Sequence, residues 1–102
     1  METQDWTEAE YFAYLAHERR MFAWVLHYYG SLSATNARDA ALAFYPYEEP
    51  GDLRGLIFHD EAWHWAMLRI YGERYWQTYP KFQHPTQEYR DAWVMPEPTG
   101  DA

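Results

Sequence analysis

The stretch HDEAWHWAM, His59 to Met67, sets two histidines, an aspartate, a glutamate and two tryptophans within nine positions, and no other stretch gathers as many groups able to bind a metal or move a proton. Glu61 and His64 have the Glu-x-x-His spacing that puts a carboxylate and an imidazole one helical turn apart, as in helical di-iron centres. Such a centre needs a second copy of the pair and further carboxylates from facing helices, and the sequence contains one Glu-x-x-His only. His59 and His64 are five positions apart, not the four of a His-Glu-x-x-His zinc helix, so along one helix they diverge from a common ligand direction. The alternative to be weighed is therefore a helical metal- or haem-binding domain built from His59, Glu61, His64 and Glu18. Haem ligation by His17 or His27 rests on aromatic neighbours alone. The favoured reading is structural. Asp60 and His64, four apart, pair on the flank of a stripe made by Trp63 and Met67, Glu61 faces solvent, and a contact between Glu18 and an imidazole across two helices satisfies groups that are otherwise costly to bury. Catalysis needs a concave site and a positioned nucleophile, and the pattern offers neither, so no catalytic residue, no metal and no cofactor is expected and the chain does not read as an enzyme.

The elements that position these residues are helical. Thr7 and Glu10 have capping-box spacing, and the run from Glu8 to Tyr29 places Tyr11, Leu15, Glu18, Phe22, Val25, Leu26 and Tyr29 on a core side with Arg20 and His27 opposite; Gly30 then reads as a left-handed cap. Ser33 or Thr35 opens a second helix through Phe44 or Tyr45, ended by Pro46. From Leu53 to about Tyr79 the pattern is helical again, with Leu56, Trp63, Met67, Ile70 and Tyr71 on one stripe, Gly72 as a weak point and Pro80 as the stop. Thr86 caps a last short helix near Gln87 to Trp93. Nothing alternates with period two. The expectation is an all-α, single-domain helical bundle of three to four helices over residues 1–95, followed by a disordered acidic tail, 96–102.

Composition narrows the function. A chain of 102 residues with 21% aromatic side chains builds its one core from large rings, and some rings must reach the surface. There is no cysteine, which excludes disulfides and thiolate metal sites and favours a cytoplasmic protein. No apolar run approaches the ~20 residues of a membrane span. The net charge is −8, and nine of the 16 acids sit at the ends and in one loop: Glu2, Asp5, Glu8, Glu10, Glu48, Glu49, Asp52, Glu97 and Asp101. That field repels nucleic acid and attracts basic protein surfaces, although it also serves solubility alone. In the loop FYPYEEPGD, rigid tyrosines beside acids form a protein-recognition surface made by Phe44, Tyr45, Tyr47, Glu48, Glu49 and Asp52.

The same residues carry a partial resemblance. DWTEAEYF, then FYPYEE and GLIFHDEAW, resembles the pattern of the colicin and pyocin DNase immunity proteins, small acidic four-helix proteins in which a Tyr-Tyr-Pro turn docks on the nuclease. The resemblance implies Tyr45 and Phe44 as the contact pair, with Glu48, Glu49 and Asp52 flanking them. Asp39 is the lone acid between Gly30 and Tyr45, where that family carries several, and everything after about Gly72 lies outside the resemblance. The expected function is a small acidic protein-binding module of the immunity or inhibitor kind that covers a basic surface on a partner protein, binding neither nucleic acid nor membrane. A homodimer is an open alternative for the surplus aromatic surface.

Overall fold

Residues 7–51 and 54–93 are described by the computed structural model of the chain. The expected tail, 96–102, and Asp52 lie outside the described residues. The fold is all-α: α1 (Glu8–Tyr28), α2 (Ala34–Phe44), a 3₁₀ turn (Leu56–His59), α3 (Ala62–Tyr71), the single-turn α4 (Tyr75–Thr78), a second 3₁₀ turn (Pro80–Phe82) and α5 (Gln87–Trp93). No strand occurs among the described residues, and no helix among them is long and apolar enough to cross a membrane.

The longest helix, α1, starts where the local chemistry dictates. The Glu10 amide donates to Thr7 Oγ1 at 3.0 Å and the Thr7 amide donates back to Glu10 Oε1 at 3.1 Å. Its core side is buried as the period implies, from Tyr11 and Leu15 to Phe22, Val25 and Leu26. The turn that follows differs from expectation. The left-handed residue is Ser31, with φ 66°, not Gly30. Gly30 serves close packing, since a Cβ there would stand 2.7 Å from the Leu26 carbonyl oxygen and 3.1 Å from Ile70. Ser33 then caps α2 by accepting from the Asn36 amide at 3.0 Å. The residues that α2 buries are Ala37 and Ala41, which let it lie close on α1.

The third helical stretch is three pieces, not one. Asp60 and Glu61 are extended, with ψ 150° and 157°, and α3 begins after them. In a continuous helix the Ala62 amide would donate to the carbonyl of residue 58. Here it donates to Glu18 Oε1 of α1 at 3.1 Å. Gly72, at φ 88°, ends α3, and Leu56, expected on the core stripe, is 60% exposed. Thr86 opens α5 by accepting from the Tyr89 amide at 3.3 Å and also bonds the Tyr29 hydroxyl at 2.7 Å.

Three consecutive residues of α1 hold three other helices by their ends. Glu18 takes the first amide of α3, Arg19 donates through Nε and Nη2 to the Tyr45 carbonyl that closes α2, at 2.8 and 2.6 Å, and Arg20 Nη1 donates to the Ala92 carbonyl in the last turn of α5 at 3.1 Å. Each charge has the sign that favours its helix end: negative at an N-terminus and positive at a C-terminus. Under these contacts lies a core of rings. Trp63 is 2% exposed, meets Tyr29 and Tyr89 edge-on at 5.4 and 5.3 Å, and donates from Nε1 to the Phe82 carbonyl at 3.0 Å.

Candidate functional site

The histidine-rich stretch is a helix junction. His59 ends the 3₁₀ turn, Asp60 and Glu61 are extended, and His64 lies in the first turn of α3, so the two histidines do not share a helix. Asp60 Oδ2 stands 3.6 Å from His59 Nδ1 and 4.0 Å from His64 Nε2, which supports the expected Asp60–His64 pairing in a different local geometry. His64 Nδ1 shares a 2.9 Å hydrogen bond with the Tyr75 hydroxyl, which ties α3 to α4. Glu61 is exposed, as expected. Glu18, in contrast, bonds a backbone amide and not an imidazole. The set His59, Glu61, His64 and Glu18 is not assembled around one point, and no group of three or more His, Asp or Glu side chains among the described residues is placed to hold a metal ion.

The loop after α2 is reorganised relative to its sequence reading. Tyr45 is 1% exposed and is a core residue, so it cannot be an anchor offered to a partner. The Arg19 clamp on its carbonyl draws the end of α2 inward, and its ring packs edge-on against Phe22 at 5.6 Å. Phe44 is half-buried, stacked on Phe22 at 4.8 Å and next to Trp65. Glu48 is also turned inward: its amide donates to the Tyr11 hydroxyl at 2.9 Å and its Oε1 accepts from the Gly55 amide at 2.9 Å, which closes the loop. Of the expected contact residues that are described, Tyr47 and Glu49 are exposed.

Tyr47 has a partner that the sequence reading missed. Phe12, on α1 one position beyond the buried Tyr11, is 53% exposed and stacks on Tyr47 with ring centres 5.4 Å apart and planes 21° from parallel. The pair is held from below. Tyr11 meets Tyr47 edge-on at 5.6 Å, the Arg54 guanidinium lies 3.7 Å over the Tyr11 ring, and Glu8 bridges the two sides by accepting from the Tyr47 hydroxyl at 3.0 Å and pairing with Arg54. The hydrogen bond from Arg54 holds the Glu8 carboxyl below its usual range, with Tyr47 adding to it, and desolvation followed by the bond to Glu8 pushes the Tyr47 phenol up. The helical wheel alone carries a signal for Phe12: a large ring on the wet side of an amphipathic helix has nothing of its own helix to cover it.

Electrostatically the patch is mixed at its base and acidic at its edge. Arg54 is engaged by Glu8, while Glu49 lies exposed and near enough to Tyr47 for its charge to act on the phenol. Compared with known proteins, the chain matches no family model, no curated protein and no solved structure.

Proposed function

We propose that the chain is a small protein-binding module of the immunity or inhibitor kind, acting in the cytoplasm, whose contact surface is the Phe12–Tyr47 pair with the acids around it. The observation that carries this reading is the exposed, stacked ring pair. Two large aromatic side chains stand in solvent, yet both are fixed by neighbours, so little side-chain freedom is lost when a partner covers them. The acids at the edge and the net charge of −8 favour a partner with a basic surface and disfavour nucleic acid. Binding, not chemistry, is the activity assigned, because the residues with chemical potential at 59–64 are engaged in holding a junction together.

The contact pair implied by the family resemblance shifts in this proposal from Phe44 and Tyr45 to Phe12 and Tyr47. Affinity capture on immobilised wild-type chain and on Phe12→Ala tests it. Phe12 is exposed, so the variant should keep its thermal midpoint within a degree or two while losing at least tenfold in affinity for a basic protein captured by the wild type. Equal capture by both chains removes this patch from the interface.

A further inference from the structure

A second surface begins one turn further along α1, where Ala16 follows Phe12 by four residues, and its chemistry is opposite. Between α1 and α2 runs a groove of about 520 Å³, within the size range of about 300–1,000 Å³ common for small-molecule sites. Its lining is apolar and smooth: five alanines, Leu42 and Trp24. Its rim is cationic, made by Arg19, Arg20 and Arg38 with the His27 ring beside them, and no Asp or Glu lines it. This is a marked concentration in a chain with 8 Lys and Arg against 16 Asp and Glu.

Two of the rim guanidiniums, Arg19 and Arg38, are not neutralised by any carboxylate of the described residues. Arg19 spends two N–H groups on the Tyr45 carbonyl, which carries no net charge. His27 is oriented by a 2.6 Å hydrogen bond from Nδ1 to the Leu32 carbonyl. Arg38 stands exposed on α2 and forms no ion pair among the described residues. An anion placed at this rim therefore meets guanidinium charge that no carboxylate of the described chain has claimed from Arg19 or Arg38.

We infer that the α1–α2 groove is a binding site for an aliphatic carboxylate, with the tail along the alanine floor and the head group at the Arg19–Arg38 rim. The tail is assigned as aliphatic because the single aromatic ring of the lining, Trp24, is already stacked on Tyr28 with centres 4.7 Å apart and planes 8° from parallel, which leaves no pair of open ring faces to sandwich a flat ligand. Alanine methyls accept a flexible chain at any of several bends. The head group is assigned as a carboxylate because a planar guanidinium presents parallel N–H groups that match two carboxylate oxygens. The site is separate from the Phe12–Tyr47 patch and does not depend on it.

Isothermal titration of the full chain with octanoate, decanoate and dodecanoate, each below its aggregation concentration, tests the site. Saturable binding at one equivalent is expected, tightening about fourfold for each added methylene. Decyltrimethylammonium, with a similar tail and the opposite charge, should bind at least tenfold more weakly than decanoate. Arg38→Glu, at an exposed position, should weaken decanoate tenfold or more. Ala16→Leu, also exposed, should block the groove while circular dichroism shows the fold retained. The assignment is overturned if the cationic and anionic amphiphiles bind alike, if both variants bind decanoate as the wild type does, or if no carboxylate saturates. Saturable binding of an acidic helical peptide in the absence of any carboxylate binding would likewise replace the proposed ligand with a protein segment and sink the inference.

Discussion

Glu18 is a carboxylate 2% exposed, and it caps a helix that belongs to another part of the chain. Desolvation raises its pKa from the ordinary 4.5 to about 7, against the lowering effect of the Ala62 amide and with the nearby Glu61 charge adding to the rise. An acid whose folded pKa is raised binds its proton more tightly in the native state. Its contribution to stability is therefore full below about 4.5 and is lost as pH rises toward 7, a loss on the order of 3 kcal/mol. Glu18→Gln keeps an oxygen for the Ala62 amide and cannot ionise. The variant should be more stable than the wild type at pH 8 and no more stable at pH 4.5, measured by urea unfolding at both. A difference between the two proteins that does not change with pH would refute the burial argument. The comparison must be made between proteins, because His17 slopes the other way: burial and then the Arg20 charge lower its pKa, so its contribution is lost as pH falls below 6.5. At this scale, what was legible in the sequence is the local chemistry. Thr7 with Glu10, Ser33 and Thr86 all bond amides within three residues, and such caps can be read by spacing. That Glu18 faces the core also follows from the period. That its partner is an amide 44 residues away does not, because the partner is chosen by packing.

Among the elements, α1, α2 and α5 keep close to their sequence boundaries, whereas the third stretch does not. Helical periodicity persists through Asp60 and Glu61, but periodicity reports which faces are apolar and says nothing about whether the first amide of α3 already has an acceptor elsewhere. Tyr45 shows the same limit. A Tyr-Pro turn reads as surface, yet the residue is drawn into the core by a clamp from Arg19, a side chain without any pattern in common with it. Where periodicity and packing agree, the reading holds, as at Trp63. This ring is buried among Tyr29, Phe82 and Tyr89 and is bonded through its indole N–H, so Trp63→Ala empties a large site and leaves the Phe82 carbonyl unpartnered. The expected cost is ~3–5 kcal/mol in denaturant unfolding. A loss below ~1 kcal/mol would show that the cluster closes over the gap and that the core is less tightly packed than its contacts imply.

For the whole molecule the charges sort into two regions of opposite sign, an acidic one beside Tyr47 and a cationic groove between α1 and α2. The acidic side should act on approach more than on residence. Glu49→Lys should slow association with a basic partner severalfold and flatten its salt dependence while leaving dissociation nearly unchanged, since screening at physiological salt acts over ~8 Å. Stopped-flow kinetics at two salt concentrations measure both rates, and a change confined to dissociation would place Glu49 inside the contact. Of these two regions the acid clusters show in the sequence, but the groove does not, because its cations are gathered from α1 and α2 only when the two helices pack. The triplet Glu18, Arg19 and Arg20 has one more consequence, a temporal one. Its three contacts span 44, 26 and 72 residues, to α3, α2 and α5. Closing a loop costs more entropy the longer it is. The three helix ends thus form a graded series in which the nearest is cheapest to recruit, so α2 docks most readily, α3 next and α5 last. A chain emerging from a ribosome presents its partners to α1 in that same order, and synthesis and assembly run in step.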